Sequence, residues 1–147
     1  MHTTLSQLIP VLQLATGPVI LISGVGLLLL SFTNRLGRLI DRTRSLHRER
    51  RAQPAPDQAA VIETQIVLID RRAGILRRAI TLAGVTVLLV SVLILVLFLA
   101  GITGLELGWL VVTLFALAIL ALIGAVSGFL REMTLALEAM RLETGRP

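Results

Sequence analysis

The chain has 147 residues, of which 55% are hydrophobic and 16% charged; about a quarter charged is usual for a soluble domain, so an ordinary water-soluble fold is excluded. All 14 basic residues are Arg, against nine acidic ones, and with four Phe, one Trp and no Tyr the chain lacks the aromatic platforms of a single-strand nucleic-acid binder. The absence of Cys removes disulfides, thiolate metal sites and a Cys nucleophile.

The first apolar block runs over about 8–33, interrupted by Gly17-Pro18. No Lys or Arg precedes it and no clear small-residue cleavage site follows, so a cleavable signal peptide is not expected. Proline lacks a backbone donor and clashes with the preceding turn, so a helix starts or bends there. The residues from Pro18 to Thr33 reach only about 24 Å as helix, short of a bilayer core of about 30 Å. Residues before the proline must contribute, as a kinked first turn or as an interfacial helix carrying Leu5, Leu8, Ile9 and Leu12.

Residues 34–78 form the connection to the second span. Phe32, Leu36, Leu39, Thr43 and Leu46 advance in steps of four and three, and Ile62, Ile66, Ile69, Ala73, Leu76 and Ile80 do the same. A 3.5-residue apolar period among charged neighbours predicts a coiled-coil seam. Gln53-Pro54-Ala55-Pro56 breaks the helix between the two runs, and Asp57 is the expected N-cap of the second. Spans two and three are expected over about 79–105 and 107–130, and neither contains an ionisable residue in its interior. In the tail, 131–144, Leu130, Met133, Leu137, Met140 and Thr144 repeat the seam spacing, flanked by Glu132, Glu138, Arg141 and Glu143. The predicted fold is an all-α membrane protein: three transmembrane helices extended into a cytoplasmic antiparallel coiled-coil, three-helix stalk, without a separate soluble domain.

Eleven Arg fall between Arg35 and Arg78 and the other three follow the third span, while the N-terminal segment has none and the short link between spans two and three carries only Glu106. Basic residues are retained on the cytoplasmic side, so the expected placement is an inner membrane with the N-terminus outside and the C-terminus inside. The expected contacts are the bilayer and its anionic headgroups, with no nucleic acid.

The stretch Thr16-Gly17-Pro18-Val19-Ile20-Leu21-Ile22-Ser23-Gly24-Val25-Gly26-Leu27-Leu28-Leu29-Leu30, followed by Asn34-Arg35-Leu36-Gly37-Arg38-Leu39-Ile40-Asp41-Arg42, resembles a bacterial membrane-protein family, domain of unknown function 2721. There, a proline-containing first span runs into Asn-Arg and then an Arg-x-x-x-Arg helix. The likeness extends loosely through the short turn between the last two spans. It implies the three-span layout and no activity.

With the turn near Pro54–Pro56, Asp41 is expected to meet Arg71 or Arg72, and Asp70 to meet Arg38 or Arg42. The plain role is a set of salt bridges holding register; the sharper one is a charged constriction or anion site. Gly17, Gly24 and Ser31 lie seven apart, with Ser23 and Gly26 nearby, and Gly124 and Gly128 form Gly-x-x-x-Gly beside Ala118, Ala121 and Ala125. Small side chains let helix backbones approach, within a subunit or between subunits. Thr16, Ser23, Ser31 and Asn34 are candidates either to line a conduit ending at Arg35 and Arg38, which would favour anions, or to serve as interhelical glue.

No carboxylate pair, phosphate-cradling glycine loop or metal-spaced His cluster appears, so neither enzymatic chemistry nor a cofactor is expected. Two functions stay open. One is a homo-oligomeric assembly forming an anion-leaning ion pathway; the other is a non-conducting scaffold or accessory subunit recruiting a partner through its stalk.

Overall fold

The computed structural model describes the backbone of residues 5–52 and 54–144 and the side chains of 9–52 and 54–136. Every described element is helical: α1 (Leu5–Arg51), α2 (Pro56–Thr103) and α3 (Gly108–Thr144). Each contains a segment long and apolar enough to cross a membrane, with peak mean hydropathy of 2.0, 3.1 and 2.7. Their outer faces present Leu27, Leu88, Leu95, Val112 and Leu120, all more than 60% exposed. Covering such a surface with acyl chains rather than water is what makes the fold tenable. The chain is a three-helix membrane protein.

Helix α1 resolves the choice left open at Gly17-Pro18. It is unbroken from Leu5, with Pro10 and Pro18 both inside it, so the residues before Pro18 continue the helix instead of forming a separate interfacial one. The start of α2 departs from expectation by two positions. The amide of Ala59 donates to the carbonyl of Ala55 (3.0 Å), which makes Ala55 the cap and Pro56 the first helical residue. Proline suits that position because its missing N–H has no intrahelical acceptor there. Asp57 is therefore inside the first turn, where its charge opposes the positive end of the helix. Between α2 and α3 the chain reverses at Gly104, whose φ of 70° is open to glycine and whose amide closes the helix onto the carbonyl of Ala100 (2.9 Å).

The contacts divide into two compact units. The first comprises Met1–Leu29 and Thr81–Gly124. Its buried positions are Ala15, Val25, Ala83, Thr86, Val90, Leu93, Leu97 and Ala118. Thr86 Oγ1 donates to the carbonyl of Leu82 on its own helix (3.0 Å) and lies 3.4 Å from that of Ala118 on α3, so a fully buried hydroxyl is satisfied where no water is present. Leu82 also packs on Gly124, where an added Cβ would stand 3.1 Å from its methyl group.

The second unit comprises Leu30–Ile80 and Ala125–Pro147. Here Phe32, Leu39 and Leu46 from α1, with Ile66, Ile69, Leu76 and Ala79 from α2, are buried; Leu36, Thr43, Ile62, Ala73 and Ile80 are half-buried between them. These positions recur every three or four residues along each helix. Arg50 reaches Glu63 across the turn at 2.8 Å.

Helix α3 does not follow its predicted phase. Leu130 is 57% exposed and Met133 half-buried, whereas Ala125 and Glu132 are fully buried and Phe129 is half-buried, so the inward face departs from the run of Leu and Met at Leu130. The side chains of Leu137, Glu138, Met140, Arg141, Glu143 and Thr144 lie outside the described set.

Ile69, 8% exposed at the centre of the second unit, gives a test of this packing. Ile69→Asp puts a carboxylate in a site without donors and is expected to lower stability by about 3 kcal/mol or more, seen as a large drop in melting temperature in mild detergent. Ile40→Asp, a surface change at 38% exposure, should leave the melt nearly unmoved.

Candidate functional site

The second unit contains a buried ionic cluster built from all three helices. Arg35 follows the apolar run of α1 by two residues, Arg72 lies on α2, and Glu132 follows the apolar run of α3. The carboxylate of Glu132 has no exposure, while the Arg35 and Arg72 side chains retain 22% and 16%. Arg35 Nε donates to Oε2 at 2.5 Å. Arg72 donates from Nε (3.1 Å) and from a terminal nitrogen (2.9 Å) to Oε1. Both carboxylate oxygens are thus occupied by charged donors, the arrangement that makes a buried ion tolerable. Among the described residues no buried side-chain nitrogen or oxygen lacks a partner.

Aromatic rings wall the cluster on one side. Phe32 and Phe129 stack with centroids 4.5 Å apart and planes 23° from parallel, and the Arg35 guanidinium lies 5.9 Å from the centroid of Phe129. The ring face adds cation–π attraction to the salt bridge and keeps water off it. Two guanidinium charges against one carboxylate leave the cluster net positive. Its carboxylate is shielded and engaged from two helices, so it ties α3 to α1 and α2.

The cluster accounts for the phase of α3. Rotating that helix to bury Leu130 would withdraw Glu132 from both arginines. In the sequence Glu132 reads as a flanking charge because the apolar residues around it fit the seam spacing on their own. The available signal was a carboxylate two residues beyond a span, with arginines at the corresponding end of both other spans.

The expected stalk ion pairs are not those formed. Asp41, 78% exposed, has as its only ion-pair contact among the described residues Arg44 on its own helix, at 4.0 Å. It follows seam residue Leu39 by two positions, about 200° round the helix, and so points outward. Arg42, Asp70 and Arg71 are exposed, and none makes an ion pair among the described residues. Arg72 turns to α3.

On α1, Thr16, Ser23, Ser31, Asn34 and Arg38 are exposed. Thr16 and Ser23 donate to carbonyls one turn back, Leu12 (3.1 Å) and Val19 (3.3 Å). Arg35, the expected end of a conduit, is instead committed to Glu132. The glycines divide between two uses: a Cβ at Gly17 or Gly24 would meet nothing within 4 Å, whereas at Gly128 it would touch Ala79 (3.5 Å) and at Gly124 Leu82. The third-span glycines therefore serve packing within the chain, and those of α1 do not.

The family model described as a protein of unknown function (DUF2721) matches residues 15–142. The chain belongs to the DUF2721 family. Arg35, Arg72 and Glu132 all fall within the matched segment. No curated protein and no solved structure shows significant similarity to the DUF2721 chain.

Removing Glu132 leaves two cations facing each other behind a stacked aromatic pair. Glu132→Ala is expected to cost about 3 kcal/mol, the low end for breaking a buried ion pair because the arginines retain some water. Arg35→Met/Arg72→Met/Glu132→Met, which removes the charges together, should recover much of that loss in the same thermal melt.

Proposed function

We propose that this protein is a homo-oligomeric membrane scaffold whose copies pack through the outward face of α1, and whose cytoplasmic helical hairpin recruits a partner. The observation that carries this is a second periodic stripe on α1. The buried and half-buried positions Ala15, Pro18, Ile22, Val25, Leu29, Phe32, Leu36 and Leu39 advance in steps of three and four. On the opposite side Gly17, Ile20, Gly24, Leu27, Ser31, Asn34 and Arg38 keep the same rhythm, and all are exposed. One heptad position of that outer stripe is small (Gly17, Gly24, Ser31) and the other large (Ile20, Leu27). Alternating small and large residues every 3.5 positions suit close packing against another helix, whereas contact with lipid sets no such period.

The concentration of Arg supports an inner-membrane placement with the N-terminus outside and both hairpin and C-terminus in the cytoplasm. Exposed Arg38, Arg78 and Arg131, near the ends of the apolar runs, suit anionic headgroups. The 3.5-residue burial in the second unit supports a coiled-coil-like hairpin.

Conduction is the second reading, favoured by exposed Thr16, Ser23 and Ser31 on the face that copies would share. It is the weaker one, since Glu132 engages the Arg35 charge that was to select anions, leaving Arg38 alone at the mouth.

A chain without cysteine makes the interface directly testable. Gly24→Cys is expected to form intermolecular disulfides in native membranes under mild oxidation, and Leu88→Cys, on the exposed face of α2, to form few. Gly24→Leu should reduce the mass measured by light scattering in mild detergent without altering helix content. Cross-linking equally from both positions, or a wild-type monomer, would remove the proposal. Ion flux from liposomes containing the intact assembly would promote the second reading over the first.

A further inference from the structure

Helix α1 leaves its apolar run at Thr33 and continues to Arg51. At 1.5 Å per residue, Arg44, Arg48 and Arg51 lie about 17, 22 and 27 Å further along. A headgroup layer is only about 5–8 Å deep, and the pull of a charged surface fades over a Debye length of about 8 Å. Headgroup attraction therefore accounts for Arg38, Arg78 and Arg131 but leaves the distal arginines unexplained.

Those distal residues are also segregated by face. Arg44, His47, Arg48 and Arg51 follow one another by three, one and three positions and line a single groove of about 490 Å³. Three of the hairpin's acidic groups are turned elsewhere. Glu63 is taken by Arg50, Glu49 accepts from Ser45, and Asp57 lies with Glu49 along a different groove. Arg44 has only the 4.0 Å contact with Asp41, and Arg48 Nε donates to the carbonyl of Arg44 at 3.4 Å. Among the described residues no carboxylate pairs with Arg48 or Arg51. Three guanidinium groups therefore lie in a row about 10 Å long, with an imidazole beside them.

We propose that this groove binds linked phosphates: a polyphosphate chain, either inorganic or carried by a nucleotide. Guanidinium forks match phosphate oxygens two at a time. A row of three fits an extended polyanion better than a single phosphate, and a groove of this volume is in the range that takes small ligands. The proposal is independent of how copies pack through α1.

The test is calorimetric titration of the full chain, in nanodiscs of zwitterionic lipid at about 150 mM salt, with sodium tripolyphosphate, ATP and inorganic phosphate. Tripolyphosphate or ATP is expected to bind at one site per chain, at least about tenfold tighter than phosphate. The tighter of the two distinguishes an inorganic from a nucleotide source. Arg48→Gln/Arg51→Gln should weaken that binding by about tenfold or more with the thermal melt unchanged, and Arg71→Gln, an exposed arginine away from the groove, should leave it intact. No advantage for linked phosphates, or an equal loss in Arg71→Gln, would overturn the assignment.

Discussion

A carboxylate removed from water must be given donors, and Glu132 finds them on two other helices. This constrains more of the second unit than any apolar contact does. Hydrophobic packing tolerates small rotations and slides, because one Leu contact can replace another. An ion with no exposure tolerates neither, since losing Arg35 or Arg72 leaves an uncompensated charge behind an aromatic wall. The net contribution of such a cluster to stability is modest, but its demand on geometry is strict. It holds α3 in the rotation that exposes Leu130 and points Arg35 inward.

That demand also explains which parts of the protein were legible in the sequence. The three spans follow from hydropathy, and the inward faces of residues 32–46 and 62–80 follow from a period that only one helix face can satisfy. The exposure of Leu130 was not legible, because it begins an apolar run at seam spacing that competes, in the sequence, with the face carrying Phe129 and Glu132. Apolar pattern alone favoured the competitor. The partners of Asp41 and Asp70 were misassigned for a related reason. Hairpin register states which residues are level, but not whether their side chains point toward each other, and Asp41 is turned about 200° away from the seam. Of the cluster itself, Arg35 was expected at the end of a conduit and Arg72 as a partner of Asp41, while their common target, Glu132, read as a flanking charge.

The two faces of α1 illustrate how much a single helix can carry. Its inward stripe packs within the chain, as Phe32 does with Phe129, while on its outward stripe a Cβ at Gly17 or Gly24 would meet nothing within 4 Å among the described residues. In water such a face would be read as surface. In a bilayer, where lipid offers no hydrophobic drive for association, the spacing of glycine and serine is the informative quantity. The glycines of α3 show what use looks like when it is internal: Gly124 and Gly128 each have a neighbour where a Cβ would stand.

The burial rhythm of α2 has a consequence for how this family can vary in length. Ile66, Ile69, Ala73, Leu76, Ala79, Ala83, Thr86, Val90, Leu93 and Leu97 form one nearly regular series from the hairpin through the membrane segment. Inserting one residue anywhere along it would turn everything beyond by about 100°, and inserting seven would turn it by only about 20°. Lengthening or shortening is thus cheap at the two turns and, within the helices, admissible only in whole heptads made together in all three. Homologues should therefore differ in helix length by discrete increments.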